Sequence, residues 1–88
     1  MSDAAWRVEF APVAAKEFRR LDPPVRRRVL AALDRLAVGD PALDVKRLKG
    51  GAESRLRVGD WRVRFRRDEA TRLILVAHVL PRGRAYDR

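Results

Sequence analysis

The chain has no cysteine, one histidine, one tyrosine and one methionine among 88 residues. Without cysteine there is no disulfide staple and no thiolate nucleophile, which fits a reducing, cytoplasmic setting. One histidine and no cysteine exclude a zinc site of the usual kind, so neither metal nor cofactor is expected. No apolar run approaches the roughly 18 residues that a membrane helix needs, so no membrane partner is expected either. Met1 to Phe10 lacks the basic start and apolar stretch of a secretory signal. Acids are scarce as well, with 12 Asp and Glu against 21 Lys and Arg, a net charge of +9. What remains is 47% hydrophobic and 38% charged. That is too apolar for disorder and too charged for a membrane protein, and it suits one small domain over residues 1–88 with a thin core.

The positive charge is unevenly placed. Residues 1–45 carry 8 basic and 7 acidic side chains, whereas residues 46–88 carry 13 basic and 5 acidic ones. Ordinary solubility charge does not explain that asymmetry. A segment this basic points to a polyanion or a strongly acidic protein partner. Most of the bases are arginine, whose planar fork suits phosphate and carboxylate.

The hydrophobic period assigns the elements. Trp6-Arg7-Val8-Glu9-Phe10 alternates as a half-buried strand. Ala14, Phe18 and Leu21 then follow helical spacing behind Pro12, which suits a first helical turn. Asp22-Pro23-Pro24 breaks that helix and starts another, with Val25, Val29, Ala32, Leu33 and Leu36 on its apolar stripe. Gly39 and Pro41 stop it near Val38. Residues 40–53 read as a loop anchored by Leu43, Val45 and Leu48. From Ser54 the period becomes two. Gly59-Asp60 fits a two-residue hairpin turn, and Asp68 to Thr71 fits a second turn. The nearly continuous apolar run Leu73 to Leu80 is a third strand of this group, ended by Pro81. The expected fold is α+β: an N-terminal strand, a helical hairpin, then a three-stranded antiparallel meander. The helices cover one face of a four-stranded sheet.

A turn at Gly59-Asp60 sets the pairing. Arg57 then faces Arg62, and Arg55 faces Arg64, all on the face away from the helices. Like charges directly opposed cost roughly 0.2–1 kcal/mol per pair. An anion between them, or splayed side chains neutralised by Glu53 or Glu9, would relieve that cost. The tail, Pro81 to Arg88, can lie over the same face. It brings Arg82, Arg84 and Tyr86, a ring able to stack on a base or act as a general base beside cations able to hold phosphate. A tyrosine simply packed on the sheet edge is equally open. His78 reads as a structural histidine, because the pattern supplies no partner histidine or carboxylate. Trp6 and Trp61 read as packing residues. Arg26-Arg27-Arg28 reads as solvated surface or a contact for an acidic partner.

These residues resemble a family. The order of elements, Leu48-Lys49-Gly50, Ser54 through Val63, and Val79-Leu80-Pro81-Arg82 through Tyr86 look like the RelE/ParE toxin superfamily of toxin–antitoxin modules, and within it the RelE branch. The resemblance covers nearly the whole chain, as one toxin domain over residues 1–88. It implies a RelE-like fold with the N-terminal strand beside the C-terminal one. It implies a ribosome-dependent mRNA interferase, an endoribonuclease that inhibits translation. It also implies catalytic roles. Arg62 stabilises the scissile phosphate, Arg82 serves near the leaving oxygen, and Tyr86 stacks on or deprotonates the attacking nucleotide. Arg55, Arg57, Arg64, Lys49 and Arg84 would bind RNA. Arg55 falls where the family often has lysine, and Glu53 where it has another basic residue.

The expected chemistry is metal-free attack of a ribose 2′-hydroxyl on the adjacent phosphate, on mRNA held by the ribosome. The expected protein partner is a cognate acidic antitoxin. Two other readings stay open: a ParE-like inhibitor of DNA gyrase that cleaves nothing, and a non-catalytic RNA-binding module.

Overall fold

The change of hydrophobic period along the chain becomes two layers. A computed structural model describes residues 5–82. In chain order these form strand β1 (Arg7–Phe10), helices α1 (Pro12–Arg19) and α2 (Pro23–Ala37), and strands β2 (Val45–Arg47), β3 (Ser54–Val58), β4 (Trp61–Asp68) and β5 (Leu73–Pro81). The strands make one sheet in the order β1-β5-β4-β3-β2. All pairings are antiparallel except the first, where Arg7 to Phe10 run parallel to Leu73 to Val76. Among the described residues no helix is long and apolar enough to cross a membrane.

The sheet has five strands rather than four. The extra one, β2, lies inside the segment that reads as a loop. Its residues Val45, Lys46 and Arg47 pair with Leu56, Arg55 and Ser54 of β3. Three residues are too few to show a period, so only the partner strand reveals them. As an edge strand, β2 is short and carries two cations, which discourages pairing with another chain.

Prolines start both helices, where a missing N–H is harmless. Asp22 takes the N-cap position of α2, yet its carboxylate makes no capping hydrogen bond. Pro24, at the second helical position, removes one of the two N–H groups that such a cap would serve. At the other end Gly39 adopts φ +74°. Its N–H donates to Leu36 and the Asp40 N–H to Arg35, a Schellman closure. Asp40 then accepts from Arg35 Nε at 2.7 Å and from the Ala42 N–H at 2.9 Å. Arg26 is not simple surface charge. Its Nη1 donates to the Leu21 carbonyl at 2.7 Å, just past the end of α1, so it ties the two helices together.

The helices lie on one face of the sheet. Ala14, Leu21, Val29, Ala32, Leu33 and Leu36 meet Leu56, Val58, Val63, Phe65, Ile74, Val76 and Val79. Trp6 and Trp61 pack against this core half-buried, as packing residues should.

Phe65 is the bulkiest fully buried apolar side chain. Phe65→Ala is expected to lower stability by about 3–5 kcal/mol in urea unfolding. Val38→Ala, at an exposed position, is expected to change it by less than about 0.5 kcal/mol. The Ala42 amide and then the Arg35 guanidinium hold the Asp40 carboxyl below its usual range. A carboxyl depressed on folding adds stability above its unfolded pKa and loses it as pH falls through the folded one. Asp40→Asn is therefore expected to flatten the decline of Tm below about pH 4.

Candidate functional site

The turn at Gly59-Asp60 sets the geometry of the basic face. Gly59 adopts φ +58°, a region that glycine enters without strain. The pairs that follow are Val58↔Trp61, Arg57↔Arg62, Leu56↔Val63 and Arg55↔Arg64. Leu56, Val58 and Val63 join the core under the helices. Alternation puts Arg55, Arg57, Arg62 and Arg64 on the other face. The row extends across four strands, Lys46 to Arg55 to Arg64 to His78, while Arg62 stands opposite Leu80.

The face is not uniformly open. Arg62 is 2% exposed and Arg55 7% exposed, although both point away from the helices. Arg62 Nη1 donates to the Gly59 carbonyl at 2.9 Å and the Trp61 carbonyl at 3.0 Å. Carboxylates of the chain itself relieve part of the like-charge cost. Asp44 lies 3.5 Å from Arg55 Nη2 and 3.9 Å from Arg57 Nη1, and Glu53 lies 2.8 Å from Arg64 Nη2. Glu9 pairs instead with Arg7. Asp44 reaches the arginines because β2 places it there, its carbonyl accepting the Arg57 N–H at 3.0 Å. An external anion is therefore not required to separate these pairs, as the bare register suggests. Among the described residues of this cluster, the four arginines and Lys46 still outnumber the two carboxylates, Asp44 and Glu53.

The structure gathers some of the expected residues and not others. The Arg82 N–H donates to the Asp60 carbonyl at 2.9 Å, which fixes the chain after β5 against the hairpin turn. Arg57, Arg62 and Arg82 are thus brought to one end of the sheet. Arg55 and Arg64 stand one row away. Lys49 lies near the start of β3, at the opposite end from the turn, so it does not join this group. It lines a separate groove of about 600 Å³ with Lys46 and Arg47. Tyr86 and Arg84 lie outside the described residues.

His78 has the carboxylate partner that the sequence pattern fails to reveal. Its Nδ1 lies 3.3 Å from Glu17 Oε2, and Glu17 Oε1 accepts the Val79 N–H at 2.7 Å. Glu17 is on the polar face of α1, 61 residues earlier. No local pattern links the two. They border a groove of about 460 Å³ that includes Arg20, Trp61 and Leu80. Among the described residues no group of three or more His, Asp or Glu could hold a metal.

A model of the family described as the ParE toxin of type II toxin–antitoxin systems matches residues 8–86. No curated protein sequence matches the chain. Solved structures do. The archaeal RelE–RelB complex of Pyrococcus horikoshii is similar at 29% identity, covering 91% of this chain and 98% of that one, with a TM-score of 0.76. The RelB–RelE complex of Methanococcus jannaschii follows at 25% identity, 89% and 94% coverage, and a TM-score of 0.71. The isolated RelE toxin of E. coli shares the fold at 21% identity, 88% and 84% coverage, and a TM-score of 0.74. With the α+β architecture, the parallel β1–β5 pair and a family match over nearly its whole length, the chain belongs to the RelE/ParE superfamily as a toxin of a type II toxin–antitoxin system.

Proposed function

We propose that this toxin is a ribosome-dependent mRNA endonuclease. The observation that carries the reading is the cluster of Arg57, Arg62 and Arg82 at the Gly59-Asp60 end of the sheet. The likeness to RelE toxins adds to it. In the reaction a ribose 2′-oxygen attacks the adjacent phosphorus, the bond to the 5′-oxygen breaks, and a cyclic phosphate and a 5′-hydroxyl result. Negative charge grows on the phosphate oxygens as this happens. Guanidinium groups already fixed in place stabilise it without reorganising. Arg62 is held by two carbonyls within the fold, where solvent screens it little. Arg57 and Arg82 are exposed and can meet the RNA backbone directly. Tyr86 is assigned the role of stacking on the attacking nucleotide. Arg55 and Arg64 extend the contact along the strand, and Lys49 and Arg84 add backbone contacts beyond it.

Such a surface has a strong charge stabiliser but few groups to position the substrate. Orientation supplies much of the rate in phosphate transfer, so the ribosome would present the message. The two archaeal relatives were solved as complexes of RelE with RelB. An acidic antitoxin that covers the arginine face and neutralises it is the corresponding partner here. Toxin, ribosome and message meet in the cytoplasm.

The family description as a ParE toxin favours one second reading, inhibition of DNA gyrase without cleavage. Primer extension on a message translated in the presence of the purified toxin separates the two. New 5′ ends on ribosome-bound message are expected. Intact message at toxin concentrations that saturate ribosomes overturns the endonuclease reading, and inhibited supercoiling in the same preparation replaces it.

Arg57→Ala and Arg82→Ala are each expected to slow cleavage by about 10²-fold. Both side chains are exposed, so unfolding free energies are expected to stay within about 0.5 kcal/mol of the parent.

A further inference from the structure

We infer that His78, oriented by Glu17, is the proton acceptor for the attacking 2′-hydroxyl. The inference rests on the endonuclease reading and adds to it a base that the arginines cannot supply, since guanidinium does not give up its proton.

The argument begins at the sheet edge. β1 pairs with β5 only as far as Val76, and the Ala11 N–H closes that stretch on the Val76 carbonyl at 2.9 Å. Beyond it the chain turns into α1, and among the described residues β5 continues with no strand on that side. The register also shifts: Arg64 pairs with His78 and Phe65 with Val76, which leaves Ala77 as a bulge. A bulge re-aims the residues that follow it. Here the Val79 N–H meets Glu17 Oε1 at 2.7 Å, so a side chain of α1 takes the place of the missing strand.

A carboxylate held on a backbone amide has a fixed orientation, and its second oxygen faces the imidazole. An ionised carboxylate only accepts, so the ring contact at 3.3 Å requires the proton on Nδ1. In the neutral ring Nε2 then carries the lone pair. This is the arrangement by which a carboxylate selects the tautomer of a catalytic histidine. The His78 side chain is 39% exposed, so substrate can reach it. It stands on the arginine face, directly across from Arg64 and one row from Arg62. The charged groups that border it are Glu17 and Arg20 on α1 and Arg64 on β4.

In the step itself, Nε2 takes the 2′-hydroxyl proton as the 2′-oxygen bonds to phosphorus. The bond from phosphorus to the 5′-oxygen breaks. That oxygen takes a proton from water, and the imidazolium returns its proton to the resulting hydroxide. Glu17 is a positioning residue and touches no reacting atom.

The test uses the untagged chain, in which His78 is the sole histidine. Single-turnover cleavage of ribosome-bound message is followed against pH. The wild-type rate is expected to rise with pH as the imidazole loses its proton, and then to level. His78→Gln is expected to lose about 10²–10³-fold and that rising limb with it. Glu17→Gln keeps an oxygen for the Val79 N–H. It is expected to slow cleavage about 10-fold and to lose the Nδ1–H tautomer, because the amide nitrogen now facing the ring donates where the carboxylate oxygen accepted. Long-range ¹⁵N NMR of the single ring is expected to show the Nδ1–H tautomer in the wild type. A His78→Gln protein that cleaves at the wild-type rate and with the same pH profile overturns the inference and leaves the endonuclease reading standing. An Nε2–H tautomer in the wild type, or a Glu17→Gln protein that keeps the Nδ1–H tautomer and the wild-type rate, overturns the role of Glu17. Absence of cleavage by the wild type removes both readings.

Discussion

The register between β3 and β4 is the constraint on which the rest of this structure depends. Side chains alternate across a strand, so a slip of one residue would exchange every partner of the two layers. Were β4 the strand to turn over, Arg62 and Arg64 would face the helices, and Val63 and Phe65 would face water. Gly59, with its positive φ, holds the hairpin at the one register that keeps Leu56, Val58 and Val63 in the core. Burial of the apolar side and clustering of the arginines are therefore one event. The core supplies the free energy, and the cationic face follows from it.

Concentrating guanidinium groups has a cost that the fold offsets locally. Asp44 and Glu53 stand beside three of the arginines, and two turn carbonyls receive the fourth. The pairs that solvent reaches contribute little stability one by one. Their effect here is to hold long side chains in defined places, which lowers the entropy lost when an anion binds. Each carboxylate also leaves the face net positive. Such a surface tolerates being empty and still attracts a polyanion or an acidic chain.

The edge of β5 shows the same economy. A parallel strand, β1, covers its first half, and a helix side chain covers the next N–H. The outcome is a histidine fixed by a carboxylate next to an arginine face. Neither residue stands out in the sequence: Glu17 reads as one charge among several on a polar helix face, and His78 as one polar residue in an apolar strand.

The local order of hydrophobic and polar residues determined much of this protein. Prolines and glycines marked where helices start and stop, and period two after Ser54 set the hairpin and its opposed arginines. These are readable because they depend on neighbours a few positions apart. Tertiary structure alone decided the rest. β2 exists because β3 offers it a ladder, and through β2 Asp44 reaches Arg55 and Arg57. The burial of Arg62, the bond from Arg26 to the end of α1 and the meeting of Glu17 with His78 are likewise products of docking. Each joins side chains whose pairing depends on how helices and strands settle on one another, and no periodicity within a single segment carries that information.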